Sequence, residues 1–210
     1  MKPKSIILLS GGLDSTVSTV IAKYKTNPLL ALTIDYGQRA AKMEIAASKT
    51  ICRALKIKHK IVTLPIFKGF TNLAMLKSKK NISPKKFNKL KDVWIPNRNG
   101  LFINIAACFA EYFHADIIVT GFNQEEAAEF PDNKPQFIAA VNHALMFSTL
   151  TKVKVISFVT DYTKKQIYKI GLKYKAPLKY VYSCYLGKKE MCGKCASCRK
   201  LLEAKASGMQ

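Results

Sequence analysis

The sequence predicts an α/β fold: a doubly wound parallel sheet, followed by a small cysteine-rich knob at the C-terminal end. Apolar runs of strand length alternate with stretches of helical periodicity along most of the chain. Four of the six cysteines lie within residues 184–198. Because strands that alternate with helices pair in parallel, both faces of the sheet are expected to carry helices. Such sheets bind their ligands beyond the carboxyl ends of the strands.

The apolar pattern places the individual elements. The predicted strands are residues 5–9, 29–34, 60–64, 116–120 and 153–159. Helices are expected after the first strand, at 40–56, after Asn99, at 135–150, and from Thr163, which has the spacing of a capping box to Gln166. The first helix places one apolar face toward the core: Leu13, Val17, Val20, Ile21 and Tyr24. The helix after Asn99 has a second apolar stripe: Phe102, Ile105, Ala106, Phe109 and Phe113.

The chain divides into two expected units. Residues 1–180 form the sheet domain, and residues 181–210 form the knob. Residues 65–98 include the Lys-rich string KSKKNISPKKFNKLK and show no clear periodicity. We predict an insertion into the sheet domain there.

Length and hydropathy exclude a membrane protein. The chain has 210 residues, and 49% of them are apolar, which is enough for a buried core. No stretch approaches the roughly 20 apolar residues that cross a bilayer, and the run LFINIAACFA is of the length of a buried helix. The first residues, MKPKSIILLSGG, lack the pattern of a secretory signal. We expect a soluble, cytoplasmic protein that does not contact membranes.

The basic charge has two interpretations. Thirty-five Lys and Arg residues against 13 acidic ones give a formal net charge of +22. Such an excess is typical of proteins that bind nucleic acid. Only four residues are arginine, however, and lysine is a solvated point charge rather than a bidentate ligand of phosphates and bases. A solubilising surface is therefore favoured, and nucleic acid is not expected as a partner. In either case the positive field attracts ATP and a carboxylate substrate.

The segment Ser10-Gly11-Gly12-Leu13-Asp14-Ser15 predicts a phosphate site. Glycines between a strand and a helix let backbone N–H groups approach an anion, and the helix adds its positive end. Asp14 cannot donate to a phosphate, so it caps the loop or holds Mg²⁺. An ordinary Ser/Gly turn is the alternative, and neither a Walker nor a dinucleotide motif is present. We predict that ATP is bound by Leu8, Leu9, Ser10, Gly11, Gly12, Leu13, Asp14, Ser15, Thr16, Val17 and Ser18.

Four cysteines predict a metal site. Cys184, Cys192, Cys195 and Cys198 have the spacing C-x7-C-x2-C-x2-C. Thiolates two residues apart can bind one tetrahedral ion, and four of them suit a closed, structural Zn²⁺ site. An iron–sulfur cluster is the main alternative, since four cysteines also hold iron. Unligated cysteines or disulfides are a further alternative.

Several blocks together resemble a known family. The string SGGLDS resembles the PP-loop of the ATP pyrophosphatase superfamily, whose fold is that of the adenine nucleotide alpha hydrolases. The chain as a whole resembles the 7-cyano-7-deazaguanine synthases of queuosine-precursor biosynthesis. The matching strings are DYGQ, IPNRNGLFINIAA, GFNQEEAAEFPDN, TKKQI and SCYLGKKEMCGKCASC, and they span almost the whole chain.

The resemblance implies a ligase that forms carbon–nitrogen bonds. Its reaction turns the carboxylate of 7-carboxy-7-deazaguanine into a nitrile with ATP and ammonia, through an adenylated intermediate. It also implies Mg²⁺ with the ATP, one Zn²⁺ per subunit, a homodimer and a cytoplasmic location.

Roles outside the loop are predicted for four residues. Arg98 is expected at a phosphate or at the substrate carboxylate, and Lys164 is expected to clamp phosphate. Together with Asp14 they form the predicted catalytic set. Glu125 and Asp132 are predicted to bind the substrate, with Asp132 accepting hydrogen bonds from its guanine-like ring. Each of these residues could instead be structural or solvated.

Three positions depart from the better-known family pattern. Asn97 occupies a glycine position, Ala40 replaces a histidine after Arg39, and Asn133 stands where a cysteine is usual. We expect these changes around the acceptor pocket.

Other functions fit parts of the pattern. A PP-loop enzyme that adenylates a tRNA base would account for the basic charge, and its cysteines could hold iron and sulfur. A module that binds a nucleotide without turnover would release no pyrophosphate with any acceptor. A third alternative activates the same carboxylate but transfers it to a different acceptor, such as a protein amine.

Overall fold

The computed structural model describes residues 1–70, 72–76, 82–88 and 90–208. Within them, five parallel strands form one sheet in the order β3-β2-β1-β4-β5, which confirms the doubly wound α/β prediction. The strands are β1 (Lys4–Leu8), β2 (Asn27–Asp35), β3 (His59–Thr63), β4 (Ile117–Thr120) and β5 (Lys154–Ser157). The helices are α1 (Leu13–Lys25), α2 (Ala41–Leu55), α3 (Leu90–Val93), α4 (Arg98–Tyr112), α5 (Gln124–Glu129), α6 (Pro135–Ser148), α7 (Lys164–Lys173) and α8 (Ala196–Gly208).

The central strand β1 lies between β2 and β4 and is buried on both faces. Ile6 and Ile7 are both fully buried, although successive side chains of a strand point to opposite faces. Ile7 pairs with Ala31 of β2 on one side and with Val119 of β4 on the other. Right-handed crossovers place α1 and α2 on one face of the sheet and α4 and α6 on the other. The carboxyl ends of β1, β2 and β4 therefore meet at one edge, where the sequence predicts the ATP site.

Helix α7 begins as the sequence predicts. The Thr163 hydroxyl accepts a hydrogen bond from the backbone N–H of Gln166, and the Gln166 side chain accepts one from the backbone N–H of Thr163. This capping box satisfies two N–H groups that a helix start otherwise leaves unpaired.

The predicted apolar stripe of α4 is wrong in part. The residues that the helix buries against β1 and β4 are small or of medium size: Ile103, Ala106, Ala107 and Ala110. Small side chains allow the helix to approach the sheet closely, so the larger Phe102, Ile105 and Phe109 lie at the sides. Phe113, which follows the helix, is exposed. Tyr24 of α1 is also exposed rather than buried, and its ring meets the edge of Tyr174.

The C-terminal residues pack against the sheet domain. Helix α8 lies against α7, and the backbone N–H of Tyr182 donates a 2.9 Å hydrogen bond to the carbonyl of Gly11. The division at residue 180 stays a prediction. Part of the Lys-rich 65–98 insertion lies outside the described residues; within it, Phe67 and Phe87 are buried in the main core. In the described part of the chain, no helix is long and apolar enough to span a bilayer.

Candidate active site

The phosphate loop, residues 10–15, connects β1 to α1 and packs against α2. Gly11 has a φ of +80°, a conformation that favours glycine, and a Cβ there would lie 2.9 Å from the Ala47 Cβ. The Ser10 and Ser15 hydroxyls lie 3.0 Å apart, and the Ser10 hydroxyl accepts from the backbone N–H of Gly12. The loop is therefore fixed before ATP binds, with the N-terminus of the 13-residue helix α1 directly behind it.

A second glycine, after β4, completes the floor of the site. A Cβ on Gly121 would lie 2.6 Å from the backbone nitrogen of Ser15, so only glycine allows β4 to approach the loop this closely. Thr120, Gly121 and the loop all line one cavity of about 250 Å³. This contact was not predicted, although the segment after this strand contains the predicted site residue Glu125.

Lys164 binds two carboxylates beside the loop. Its Nζ lies 2.6 Å from Asp14 Oδ2 and 2.8 Å from Glu126 Oε1. Lys164 is buried, and burial alone would lower its pKa, but the charges of Asp14 and Glu126 outweigh this and raise it. The residue therefore stays protonated. Its charge is shared with the two carboxylates, and its contact with phosphate stays a prediction.

Asp14 keeps one oxygen for a ligand. Its Oδ1 is buried and has no hydrogen-bond partner, while Oδ2 receives Lys164. Burial raises the pKa of Asp14, and the charge of Lys164 opposes that rise. Mg²⁺ is commonly held by one or two carboxylates together with substrate phosphates. An unpaired carboxylate oxygen beside a phosphate loop fits that ion.

The cavity lining is also partly aromatic. Tyr36, Phe102, Phe130 and Tyr185 belong to it, together with Arg98. The Arg98 guanidinium lies 6.0 Å from the centre of the Tyr36 ring and donates a long 3.5 Å hydrogen bond to its hydroxyl. Aromatic side chains beside the Arg98 cation suit a flat heterocycle that carries a carboxylate.

The departure at Asn97 is accommodated by its backbone. Asn97 has a φ of +52°, and asparagine is one of the few residues other than glycine that adopt this conformation readily. It precedes α4, so it orients Arg98 at the first position of that helix. Asn133 lines the cavity. Ala40 does not line it; Ala40 is the N-cap residue of α2 and makes no side-chain capping hydrogen bond.

A third carboxylate reaches the cavity from α2. Glu44 lines it, and Glu44 Oε2 accepts a 2.8 Å hydrogen bond from Gln38 Nε2. Burial raises the pKa of Glu44. Neither Glu44 nor Tyr185 was predicted as a site residue. Glu126 was predicted only as one of three acidic residues, with Glu125 and Asp132, of which one could accept hydrogen bonds from the substrate ring. Two positions in the sequence could have drawn attention to Glu44 and Glu126. Gln38, which contacts Glu44, belongs to DYGQ, and Glu126 belongs to GFNQEE. These strings lie at the carboxyl ends of β2 and β4, where ligands are expected.

Several predicted residues lie behind the cavity lining. Among the predicted ATP ligands, the cavity wall includes Leu8, Leu9, Ser10, Gly12, Leu13, Asp14 and Ser15. Gly11, Thr16, Val17 and Ser18 support the loop from below; Thr16 donates to the Gly12 carbonyl, and Ser18 to the Thr120 carbonyl.

The two predicted substrate carboxylates also lie outside the wall. Glu125 accepts the backbone N–H of Lys164 at 2.8 Å. Asp132 is buried, and its Oδ1 accepts a 3.0 Å hydrogen bond from the Asn133 amide. Burial raises the pKa of Asp132, with Arg98 opposing the rise. Their direct contacts with a substrate stay predictions.

The four predicted cysteines form one cluster. The sulfur atoms of Cys184, Cys192, Cys195 and Cys198 all lie within 4.8 Å of one another, and the Cys192 and Cys198 sulfurs are 3.9 Å apart. A tetrahedral Zn²⁺ at about 2.3 Å from each sulfur requires sulfurs about 3.8 Å apart. Backbone N–H groups of Lys194 and Cys195 point at the Cys192 sulfur, as they do around thiolates. The cluster fits a closed four-thiolate metal site.

The cysteine cluster is joined to the cavity through residues 182–187. Ser183 and Tyr185 flank Cys184 and line the cavity. On the other side, a Cβ on Gly187 would collide with the Arg39 carbonyl, which shows how closely this turn packs on the sheet domain. The folding of the cysteine knob therefore fixes the position of the cavity wall that Ser183 and Tyr185 form.

The chain is similar to known proteins over almost its whole length. The model of a family described as "Queuosine biosynthesis protein QueC" matches residues 4–207. The chain belongs to this family. A 7-cyano-7-deazaguanine synthase of Desulforamulus reducens is 45% identical over 210 residues, which cover 95% of this chain and 92% of that protein. One of Methanocaldococcus jannaschii is 43% identical over 213 residues, with 94% and 92% covered.

One solved structure supports the fold alone. The NMN synthetase from Francisella tularensis superposes with a TM-score of 0.52 and 15% sequence identity, and the match covers 99% of this chain and 84% of that one.

Proposed function

We propose that the chain converts 7-carboxy-7-deazaguanine, ammonia and ATP into 7-cyano-7-deazaguanine for queuosine biosynthesis. Membership of the QueC family over residues 4–207 carries this proposal. The site supports it, because a phosphate loop and an aromatic chamber with Arg98 share one cavity. A substrate carboxylate bound to Arg98 and the α-phosphate of ATP can therefore react within the same cavity.

The chemistry that we propose proceeds in two activations. A carboxylate oxygen attacks the α-phosphorus, pyrophosphate leaves, and ammonia displaces AMP to give the amide. The amide oxygen attacks a second ATP in the same way, and loss of AMP and a proton from nitrogen forms the nitrile. The loop residues Gly12 and Ser15 hold the leaving pyrophosphate through N–H and hydroxyl groups.

Lys164 and Asp14 organise the leaving-group side. Lys164 keeps a positive charge beside the loop, and its two carboxylate partners fix its position. Asp14 would hold Mg²⁺ through its free Oδ1, and the ion would neutralise charge on the phosphates. Arg98 orients the substrate carboxylate, and Glu125 supports the start of α7 through its bond to Lys164.

The cysteine cluster would hold Zn²⁺ in a structural role. Four thiolates leave no open coordination position, so the ion contributes folding energy rather than chemistry. Its effect on the reaction passes through Tyr185 and through the hydrogen bond from Tyr182 to Gly11.

We also propose a homodimer formed through α6, in the cytoplasm. Helix α6 contains no charged residue although the chain carries +22. Phe147 is 81% exposed and Leu150, just beyond the helix, is 95% exposed. The backbone N–H of Leu150 donates to Glu111, which brings the exposed Tyr112 into the same patch. Two copies with a net charge of +22 repel each other through their Lys-rich surfaces, so they are expected to associate through the uncharged face of α6.

Light scattering during size exclusion tests the dimer. Wild-type protein is expected at twice the chain mass of 23.5 kDa, and the double variant Phe147→Lys/Leu150→Lys at the single mass. Leu172→Lys on α7 is the matched control, since it changes another exposed leucine. A dimer that survives the double variant places the interface elsewhere.

Pyrophosphate release with a panel of acceptors tests the reaction. Release is expected with 7-carboxy-7-deazaguanine and Mg-ATP, and it should not require RNA. The second candidate function, adenylation of a tRNA base, rests on the basic charge. It predicts release with unmodified tRNA and none with the deazaguanine acid. That result would overturn the proposal.

A further inference from the structure

Three carboxylates line the cavity, and one of them differs from the others in its partners. Asp14 and Glu126 both form ion pairs with Lys164. Glu44 has no ion-pair partner among the residues that the structure describes. It stands at the first turn of α2, directly beside the phosphate loop, whose Gly11 packs against its backbone carbonyl. A carboxylate that lines a cavity and forms no ion pair there can accept hydrogen bonds from the donors of a ligand.

Gln38 holds Glu44 in a fixed direction. The Gln38 side chain is almost completely buried and all its groups are in use. Its Nε2 donates to the Ile34 carbonyl at 3.1 Å and to Glu44 Oε2 at 2.8 Å, and its Oε1 accepts from the backbone N–H of Tyr36 at 2.9 Å. The amide thereby links the end of β2 to Glu44. Gln38, the last residue of the DYGQ string, therefore orients Glu44, a role that is separate from phosphate binding.

The surroundings of Glu44 suit a flat ring. Tyr36 and Phe102 form an aromatic contact with centroids 5.3 Å apart and line the same cavity. The Arg98 guanidinium lies 6.0 Å from the Tyr36 ring centre, so a cation and a carboxylate without an ion-pair partner line the same cavity. A ring with an acid group on one edge and N–H donors on another matches both charges.

We propose that Glu44 recognises the edge of the deazaguanine ring that carries N1–H and the 2-amino group, and that Gln38 is its positioning residue. This inference rests on the proposed function. A carboxylate can accept two adjacent N–H donors in parallel, as it does from arginine. The adenine of ATP presents its amino group beside an acceptor nitrogen, whose lone pair a carboxylate would repel. The donor pair of a guanine-type ring is therefore the better match.

The other candidate carboxylates are engaged or lie behind the wall. Asp132 does not line the cavity and accepts the Asn133 amide. Glu125 accepts the backbone N–H of Lys164. Their predicted contacts with the substrate compete with the proposal for Glu44, so the same experiment must include them.

Calorimetric binding to the zinc-loaded protein, without ATP, is the first measurement. The ligands are 7-carboxy-7-deazaguanine and its analogue without the 2-amino group. Wild-type protein is expected to bind the analogue about 10- to 100-fold more weakly, because Glu44 loses a charge-assisted hydrogen bond. Glu44→Gln should bind both compounds with similarly weak affinity. Asp132→Asn and the matched control Glu129→Gln, an exposed glutamate on α5, should discriminate as wild type does.

Gln38→Met tests the positioning role by the same readout. Merely structural damage would lower the affinity for both compounds equally, whereas loss of positioning should reduce the preference for the 2-amino compound. Because Gln38 is buried, its variant must first show a thermal transition within a few degrees of wild type; Glu44→Gln carries the test if it does not.

The outcomes separate this inference from the proposed function. If wild-type protein binds neither compound, the proposed function itself fails. If wild type discriminates and Glu44→Gln still does, or if Asp132→Asn abolishes discrimination instead, the inference is overturned. If Glu44→Gln leaves the binding of both compounds unchanged, and a separate titration with Mg-ATP shows weaker binding, the carboxylate contacts adenine and the inference is wrong.

Discussion

Lys164 allows a quantitative test of the site, because its removal leaves two carboxylates without a cation. The ammonium lies 2.6 Å from Asp14 and 2.8 Å from Glu126, and the side chains of Lys164 and Asp14 are only 11% and 15% exposed. Removing one partner of a buried ion pair costs about 3–5 kcal/mol. Glu126 is 33% exposed, so solvent screens its share and the Asp14 pair dominates. Lys164→Met should therefore lower the free energy of unfolding by about 3–5 kcal/mol.

The sign of the pH dependence follows from Asp14. Without Lys164, burial and the charge of Glu126 prevail, so the pKa of Asp14 rises further above its value in the unfolded chain. A carboxyl group with a raised pKa favours the folded state when protonated and opposes it when ionised. The deficit of Lys164→Met should therefore be largest above neutral pH and shrink as the pH falls through the raised pKa.

Urea unfolding at pH 8 and pH 5 measures both effects. Lys165→Met is the matched control, since Lys165 is the next residue of α7 and is exposed. Comparing the two variants at each pH cancels any effect of acid on the metal site. A difference below about 1 kcal/mol at pH 8, within the usual range of surface substitutions, would refute the reasoning, as would a deficit that grows in acid.

Three further substitutions test separate parts of the site. Gly12→Val should abolish pyrophosphate release but keep the metal content and thermal transition, because a Cβ at Gly12 meets only the Ser10 hydroxyl, at 3.4 Å, and the side chain fills the cavity; normal turnover would show that phosphate binds elsewhere. Gly121→Ala should reduce both release and stability, by about 1–3 kcal/mol, because its Cβ would lie 2.6 Å from the Ser15 nitrogen; an unchanged denaturation midpoint contradicts this. Cys195→Ser should lose the metal, measured by mass spectrometry, and much of the stability; a fully metallated, stable variant means that the ligand set is misread.

The sequence was most informative where a local pattern has one structural solution. The apolar runs predict all five described strands within two residues at each end. The buried runs are longest in the inner strands β1, β2 and β4, which have neighbours on both sides. The cysteine spacing predicts the cluster, since two-residue spacing brings thiolates together. The capping box at Thr163 needs only four consecutive residues.

Other features depend on contacts that no local pattern contains. The buried face of α4 consists of Ile103 and three alanines, because tight packing on the sheet selects small residues over the aromatic stripe. Short α5 was not predicted, so Glu126 and its contact with Lys164 had no assigned place. Glu44 was missed because only the three hydrogen bonds of Gln38 relate it to the end of β2.

The departure at Asn97 shows how a sequence comparison can overstate a difference. Replacing a glycine normally signals a changed backbone, yet Asn97 retains a positive φ of +52°. The Asn97 side chain takes up the space beside Gly100, where a Cβ would collide with the Asn97 Oδ1. The change therefore preserves the start of α4 and the position of Arg98, and it gives no reason to assign a different substrate.

The measurement that tests the central claim most directly uses 7-carboxy-7-deazaguanine labelled with ¹⁸O in both carboxylate oxygens. Purified, metal-loaded protein is incubated with this acid, Mg-ATP and ammonium, and the products are analysed by mass spectrometry. The account predicts an unlabelled nitrile and AMP that carries ¹⁸O in its phosphate, because each oxygen leaves bonded to the α-phosphorus. A nitrile with unlabelled AMP, or no AMP at all, would contradict adenylation of the carboxylate.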